Sequence, residues 1–531
     1  MFLGTVEDAQ DGTNSDGSLS FVRQASLEIM TSIRRQLSCE PVSMGEYIQS
    51  PQEQISSSDR SASDGKNMQK IERNASSMKN FTERDWLLHN NGQTASQSES
   101  DGVRSSQIST KASFQQHVGT STVVGSVFTL TNTILGSGTL TVPFAIASSG
   151  WLLGNIVMFI IACITRYSVH LLLLSSDLAG RKTARTYESL GHYTMGRFGT
   201  FLAEFTFIFG GFGTLISYMI FISALIANVF GIAPDQKWMV SITCFLVVIF
   251  PLSLYRKIAK LRVSSLAAII SITYVVLFVF CAFLYKQYRI THSKPVDIKA
   301  VIIDPGSVYT VTLLIAAFAC HNTALPVYEE LRSRSLNRMD RAVCYAILIA
   351  FVLYEIIGLF GYLQFGTETM DNILLNFSSA HIDAHCPAMR IPILIGQTCM
   401  AVALLLSVPV AMWPFRSCLL SVYLRWRNNG QQTPSHKATR IEYIVVTICS
   451  QSLIVFCSIV VPSVKVALSI VGSVSGSLLI FIMPSLFYLL QTCSTLKDVR
   501  KHWGPLIMLL AGIMVGALGL SLTVYKIVQD H

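Results

Sequence analysis

The chain has 531 residues, of which 51% are hydrophobic and only 13% are charged, and its mean hydropathy is +0.48. This composition is typical of an integral membrane protein and excludes an ordinary soluble enzyme, because no soluble core is left once the apolar segments are removed. The formal charge is −4 in residues 1–118 and +13 in the rest of the chain. A positive charge spread that thinly cannot form a nucleic-acid-binding surface.

Residues 1–118 are rich in Ser, Gln, Asn and acidic residues and show no sustained apolar periodicity. Because such a segment cannot bury enough apolar surface to offset its chain entropy, we predict a disordered N-terminal tail. Its start carries Glu7 and Asp8 where a cleaved signal peptide would have basic and apolar regions, so we expect no signal peptide. Serines such as Ser56 offer sites for modification or for a cytosolic partner.

From about residue 120 onward the chain is a series of apolar segments, each long enough to cross a hydrocarbon layer of about 30 Å as a helix. This part, residues 119–531, is the predicted transmembrane domain. We predict about eleven spans, at residues 120–148, 150–177, 199–230, 237–254, 262–285, 303–328, 342–365, 391–424, 441–461, 464–491 and 504–527.

Basic residues in the connecting loops predict the orientation of these spans. The loops after spans two, four, six, eight and ten carry 19 Lys and Arg residues, and the other side carries 8. We therefore expect a cytosolic N-terminus and an extracellular or lumenal C-terminus. Asn376 then starts an Asn-Phe-Ser glycosylation sequence in the outer loop 366–390, where a glycan could be attached.

Most of the twelve cysteines lie inside apolar runs, and they show no zinc-ligand spacing, so we interpret them as small core residues. Cys386 lies clearly in the long outer loop. Cys281, near the end of span five, is its one plausible partner, and whether the two pair stays open.

Two spans differ from plain lipid-facing helices. Span one contains Gly136, Gly138 and Pro143, and span six carries the polar run 321–323 followed by Pro326. Such residues interrupt a helix, and backbone groups freed in mid-bilayer must line a cavity or bind a ligand. Tight glycine packing and a passive proline kink would explain either span alone. Breaks in the first and sixth spans together are what two inverted five-helix repeats predict, with the substrate site between them.

Four stretches carry a resemblance to a known family, and they are residues 132–138, 320–331, 360–363 and 407–417. With these motifs the part of the chain after the tail resembles the amino acid/auxin permease family, and most of all its sodium-coupled neutral amino acid transporter branch. The resemblance implies an all-α integral membrane protein with about 11 transmembrane helices and the inverted 5+5 repeat of a LeuT-like fold.

A zwitterionic amino acid needs donors for its carboxylate and acceptors for its ammonium a few ångströms apart. Free N–H groups at the start of a half-helix around Gly136, Ser137 and Gly138 suit the carboxylate. Unwound carbonyls near Ala319, Cys320 and His321 suit the ammonium. We expect the cavity wall in span three, with Tyr218 as the candidate beside Phe212 and Gly213, although aromatic residues of membrane helices are usually packed in the core.

The coupling ion is expected near the same break. Asn132 and Ser407 match positions where the family places a sodium-site Asn in span one and a hydroxyl, usually Thr, in span eight. The Ser keeps the oxygen but leaves the choice between Na⁺ and H⁺ open, because protons drive many relatives. Alternatively, Ser407 bonds to the backbone of its own helix. The resemblance implies no cofactor other than this ion.

Ionisable residues inside a membrane are costly and are usually functional. We expect His321 to act in coupling or gating, or to bond to loosened backbone. Glu355 in span seven is expected to pair with Arg166 in span two as a structural bridge, or to carry a proton. Glu204 lies near the start of span three and is expected to reach the membrane interface.

Together these features predict a secondary active transporter of small neutral L-amino acids, sodium-coupled and working by alternating access. A proton-coupled transporter of an acidic organelle is the second interpretation, and an amino acid sensor that signals through the tail is the third. The sequence shows no nucleophile with a base and an orienting group, so an enzyme is not predicted. We expect the protein in the lipid bilayer of the plasma membrane or of a lysosome- or vacuole-like organelle.

Overall fold

The structure is a computed structural model, and it describes residues 121–180, 186–253, 262–289, 296–377, 389–427, 439–461, 463–493 and 501–530. The predicted tail and Cys386 lie outside these residues. The described residues fold as helices, joined by turns and connections, with one isolated β-bridge between Ser121 and Leu331. The predicted all-α fold is therefore confirmed.

The eleven predicted spans all correspond to helices, and spans one and six are each divided into two half-helices. In chain order the spans are Val123–Ile134 with Gly138–Ala147, Trp151–Ala179, Tyr187–Phe230, Lys237–Cys244 with Phe245–Ile249 and Phe250–Ser253, Arg262–Arg289, Val308–Phe318 with His321–Glu330, Leu336–Phe365, Arg390–Arg427, Arg440–Val460, Val464–Val471 with Gly472–Ile482 and Met483–Thr492, and Trp503–Asp530.

Length and apolar composition separate span four from the others. Among the described residues, nine helices are long and apolar enough to cross a membrane, and span one becomes the tenth when its two bent halves are taken together. Span four is shorter and contains a π-helical turn at Phe245–Ile249. The described part of the chain therefore has ten full-length spans and one short one.

Span three begins earlier than its apolar run predicts. The helix starts at Tyr187, where the Thr186 side chain accepts a hydrogen bond from the Ser189 backbone N–H and caps it. It then bends at Gly196, whose φ of 62° lies in the left-handed region that glycine tolerates. Because this first segment contains polar residues, hydropathy alone does not predict that it belongs to the helix.

The broken and distorted helices occupy the centre of the bundle. Of the 18 most apolar consecutive residues in each span, 67% are buried in span six and 72% in span ten, but only 22% in span eleven. Since a membrane helix surrounded by other helices shows little surface, span six and span ten form the core and span eleven lies at the periphery.

Span ten contains a long π-helix over Gly472–Ile482, rich in buried serines. Just before it, the Ser469 hydroxyl lies 2.7 Å from the Thr312 hydroxyl of span six and 2.7 Å from the Thr523 hydroxyl of span eleven. Thr312 and Thr523 also donate to carbonyls of their own helices, at 3.0 and 2.6 Å. These three side chains form a hydroxyl chain that joins spans six, ten and eleven.

Candidate functional site

The break in span one is a short turn between two half-helices that meet at 56°. The first half-helix ends at Ile134, and the second begins at Gly138. Gly136 donates its N–H to the Ile134 carbonyl over 2.8 Å. No group of the described residues accepts the N–H of Ser137 or of Gly138, so both donors are free at the start of the second half-helix.

The break in span six covers two residues, Ala319 and Cys320. Ala319 is extended, with φ −70° and ψ 101°, and the helix restarts at His321. The Cys320 carbonyl accepts from the backbone and the side chain of Thr323, at 3.1 and 3.0 Å. Among the described residues nothing donates to the Ala319 carbonyl, and Ala319 is half-buried. This break therefore offers a free acceptor.

The two breaks lie side by side. A Cβ atom added to Gly138 would lie 2.7 Å from Ala317 Cβ and 2.9 Å from Ala317 Cα, so only glycine lets the two backbones approach this closely. The Thr133 and Thr323 hydroxyls, one on each span, lie 3.3 Å apart. The predicted pairing of the two discontinuities is present in the structure.

Tyr354 of span seven joins the two breaks. Its buried hydroxyl donates to the Ile134 carbonyl over 2.6 Å and also lies 3.3 Å from the Ala317 carbonyl. These carbonyls lie in the last turns of the first half-helices, where the helical ladder ends; the Ile134 carbonyl also accepts from Gly136 N–H. Tyr354 was not among the predicted site residues, because one aromatic residue in an apolar helix carries no pattern that separates it from core residues.

The predicted substrate residues fall into two groups by burial. Gly136, Ala319 and Tyr218 are half-buried and line the break region, and the Tyr218 hydroxyl lies 3.0 Å from the position that a Cβ of Gly136 would take. Ser137, Gly138 and Cys320 are buried, and only their backbone groups or small side chains take part in the turns. The neighbouring candidate Gly213 instead packs against Val471 of span ten.

His321 turns its side chain away from the break. The ring is 0% exposed, and its Nε2 lies 2.8 Å from the Ser168 hydroxyl of span two. Ser168 in turn donates to the Ile480 carbonyl of span ten. Ser168 has one hydroxyl proton, and it donates this proton to Ile480. The neutral His321 ring therefore carries its proton on Nε2 and donates it to the Ser168 oxygen, while Nδ1 is buried without a partner. The geometry therefore favours a packing role for the ring.

The predicted ion ligands are not joined in the structure. Asn132 and Ser407 are both half-buried, but no hydrogen bond links them. The Ser407 hydroxyl donates to the Ala403 carbonyl of its own helix over 2.8 Å, which is the alternative role considered for it. Its oxygen lone pairs stay available to a cation in this arrangement.

The expected bridge between Arg166 and Glu355 is absent from the ion pairs of the described residues. Arg166 is exposed, and Glu355 Oε2 is buried without a hydrogen-bond partner. Glu204 is 4% exposed and pairs with Arg425 of span eight through two contacts of 2.6 and 3.0 Å. This bidentate pair buries Glu204 against span eight, and its expected position near the membrane interface stays a prediction.

Asn376 has a buried side chain in the described part of loop 366–390. It is 6% exposed, its Nδ2 donates to the Glu368 carbonyl over 3.0 Å, and its Oδ1 accepts from the Met370 N–H over 2.8 Å. A glycan on Nδ2 would replace one of its two hydrogens and would have to fit beside this buried group. Glycosylation at Asn376 stays a prediction, and it requires attachment before this loop folds.

At the end of the bundle where span one begins, Arg334, Tyr328, Glu329 and Asp177 form a polar cluster, here called the latch. The Arg334 guanidinium lies 4.1 Å from the centre of the Tyr328 ring and pairs with Asp177 of span two over 2.8 Å and with Glu329. The Tyr328 hydroxyl also donates to Asp177. Beside this latch Ser121 bonds to the backbone of Glu330 and Arg332, at 2.9 and 2.8 Å. Span one is thereby fixed to the end of span six.

At the opposite end of the broken helices, two aromatic rings pack together and a lysine lies over both of them. Phe144 of span one and Tyr309 of span six lie with ring centroids 6.0 Å apart. The Lys465 ammonium of span ten lies 5.5 and 5.7 Å from the two centroids, within cation–π range. Side-chain contacts therefore join the broken helices to their neighbours at both ends.

Comparison with known proteins gives three findings. The profile described as "Transmembrane amino acid transporter protein" matches residues 119–529. Sodium-coupled neutral amino acid symporter 2 of Danio rerio is 27% identical over 423 residues, which cover 73% of this chain and 79% of that protein. Among solved structures, the chain is similar to the inward-facing conformation of Mhp1, with a TM-score of 0.47 and 12% identity over 77% of this chain and 92% of that chain.

Among the described residues, the break region offers unpaired backbone groups of both kinds, N–H donors and a carbonyl acceptor. Free N–H donors at Ser137 and Gly138 suit an anionic group, and the free carbonyl of Ala319 suits a cationic group. The matched profile covers all of the described helices, and it is a profile of transporters rather than of enzymes. The chain therefore belongs to the transmembrane amino acid transporter family and is a multi-pass membrane protein that transports amino acids.

Proposed function

We propose that the protein is a secondary active transporter of small neutral amino acids, coupled to sodium and working by alternating access. The observation that carries this proposal is the pair of adjacent breaks, with free N–H groups at Ser137 and Gly138 and a free carbonyl at Ala319. The N–H groups would hold the substrate carboxylate and the carbonyl its ammonium.

The neutral substrate class follows from the charges near the breaks. The half-helices of span one contain no charged residue, and the first half of span six contains none either. A charged substrate side chain would therefore find no partner there, and burying it would be costly. The Tyr218 hydroxyl beside Gly136 narrows the region, which favours a small side chain.

Sodium coupling is supported by the oxygen ligands of Asn132 and Ser407 and by the name of the Danio rerio relative. The contacts at both ends of the broken helices fit a closed, occluded step of alternating access, in which neither side is open. In a transport cycle the contacts of the latch and those of Lys465 with the aromatic rings would break alternately, each set at one end of the broken helices.

Reconstituted flux tests the proposal. Purified protein in liposomes should accumulate labelled alanine or glutamine when a sodium gradient is imposed, and should not accumulate glutamate or lysine. Saturable binding without flux would support the sensor instead. Accumulation under a pH gradient without sodium would support the proton-coupled interpretation.

Gly136→Val tests the placement of the substrate. Valine would bring a branched side chain to within contact of the Tyr218 hydroxyl, so uptake should be lost while the amount of folded protein is kept. Normal uptake by this variant would show that the substrate does not lie at this break.

Asn132→Ala and Ser407→Ala test the ion site, and each should weaken the dependence of uptake on sodium. Ser421→Ala is the matched control, because Ser421 lies on the same helix and also donates to a carbonyl of its own helix, over 2.9 Å. Unchanged sodium activation in both test variants would place the ion elsewhere.

A further inference from the structure

Glu355 of span seven is a carboxyl group without a partner in the middle of a membrane helix. It lies 19 residues after the start of Leu336–Phe365 and 10 before its end. Its Oε2 is buried and has no hydrogen-bond partner. The residue as a whole is half-buried, and at the buried oxygen an ionised carboxylate would lose hydration without gaining a compensating charge, which is unfavourable.

The helices packed against span seven offer no counter-charge at this depth. Span one has no ionisable residue in either half-helix. In span five, Lys286 donates to the Gln364 carbonyl nine residues along span seven, roughly 13 Å away along the axis.

The ionisable residues of span two all lie toward the other end of span seven. His170 pairs with Asp340 over 2.8 Å, and Asp177 pairs with Arg334. Arg166 and Tyr167 are exposed and lie one turn from His170. In span six, His321 binds Ser168, two residues from the His170 contact. No ion pair of the described residues includes Glu355.

A second unpartnered oxygen lies at the same level. Phe159 of span two packs against Phe351 of span seven with ring centroids 6.0 Å apart, and His170 and Asp340 show that the two helices run antiparallel. Asn155 lies four residues before Phe159, and Glu355 lies four residues after Phe351. Each is therefore one turn beyond the ring pair, on the same face of its helix as the ring. Asn155 Oδ1 is also buried without a partner. Both oxygens are acceptors without a donor, and a proton on the carboxyl would supply a donor at this level.

Glu355 is adjacent in sequence to Tyr354, which joins the two breaks. Because the two residues are neighbours on one helix, a movement of span seven that exposes the Glu355 carboxyl also moves the Tyr354 hydroxyl. The carboxyl group and the break region therefore belong to one mechanical unit.

We propose that Glu355 is a proton-binding site, protonated in this closed conformation and deprotonated when span seven moves and water reaches the carboxyl. This inference rests on the proposed transport function and adds a proton to its cycle. A proton fits better than a metal ion, because one carboxyl and one amide oxygen supply too few ligands for Na⁺. Uptake should then fall as the pH is raised, since the closed conformation requires the proton.

The experiment compares the pH profile of sodium-driven uptake for the wild type, Glu355→Gln and Glu368→Gln. Glutamine mimics the protonated carboxyl, so the Glu355 variant should keep its low-pH rate at high pH. Glu368 is exposed just beyond span seven and serves as the control, whose profile should match that of the wild type. A Glu355→Gln profile that follows the wild-type profile would overturn the proposal.

Infrared spectroscopy of the purified protein gives a readout that does not depend on transport. The carbonyl stretch of a protonated buried carboxyl should be present near neutral pH in the wild type and missing in Glu355→Gln. A band that persists in the variant would refute the assignment. Should Glu355→Gln fail to fold, Glu355→Asp takes its place, and the band and the pH midpoint should both move. If both stayed unchanged, Glu355 would not be the site.

The two readouts separate this inference from the function on which it rests. A wild type that takes up no amino acid under any gradient would contradict the proposed transport, while the infrared band would still test the proton at Glu355. A wild type that transports normally without that band would contradict only the proton site.

Discussion

Replacing Tyr354 with phenylalanine removes one oxygen atom from the contact between the two breaks and leaves the ring in place. The lost hydroxyl donates to Ile134 O over 2.6 Å and lies 3.3 Å from Ala317 O. Because Tyr354 is 0% exposed, water cannot readily replace it; the Ile134 carbonyl keeps the Gly136 N–H, but the Ala317 carbonyl loses its donor. A buried acceptor left unsatisfied costs about 1–3 kcal/mol.

That free energy sets the size of the expected effect. If the hydroxyl stabilises the closed conformation only, its loss lowers the population of that conformation by roughly 5- to 150-fold relative to the open ones. We therefore expect Tyr354→Phe to slow sodium-driven uptake in liposomes by a factor within this range. Packing of the ring against Phe318, at a centroid distance of 5.2 Å, should be kept.

Tyr362→Phe is the matched control. Tyr362 is also 0% exposed on span seven, two turns further along, and its hydroxyl binds the Lys299 backbone, away from the breaks. Both variants lose a buried hydroxyl and should be destabilised to a similar degree on melting in detergent. An equal fall in uptake for the two variants, or transport by Tyr354→Phe at the wild-type rate, would refute this role of the Tyr354 hydroxyl.

Two further predictions concern charged pairs. Arg425→Ala should destabilise the protein by about 3–5 kcal/mol, because it leaves the buried Glu204 unpaired, and adding Glu204→Gln should recover part of the loss on thermal melting. If the single and double variants melt alike, this pair is not the cause. Arg334→Gln should remove charge-assisted bonds of roughly 1.5–3 kcal/mol and so raise hydrogen exchange at the Ser121 bridge about 10-fold or more. Arg427→Gln, which breaks an ion pair at a half-exposed arginine, should leave that exchange unchanged.

The positions of both breaks could be predicted from the sequence because glycine, proline and polar residues seldom occur together in an apolar run unless the helix is interrupted there. Gly138 illustrates this, since its missing Cβ is what lets span one contact Ala317. The eleven spans could be predicted for a similar reason, because a helix must be apolar over its full length to cross lipid.

The side-chain contacts could not be predicted in the same way. Tyr354 and Glu204 act through partners that are distant in the chain, and no local pattern reports such partners. His321 stands out by its chemistry, but its ring direction depends on Ser168 and on the shape of span ten. The π-helix at Gly472–Ile482 could not be predicted either, because one additional residue per turn leaves the hydropathy unchanged.

The hydroxyl chain through Thr312, Ser469 and Thr523 has more contacts than hydrogens. Three hydroxyl groups carry three protons, but they make four contacts, two with carbonyls of their own helices and two with each other. At any moment one contact has no hydrogen in it, and Ser469 can rotate its proton toward either threonine. Span ten can therefore donate its Ser469 hydrogen bond to span six or to span eleven. One of these neighbours can slide away while the other keeps its bond.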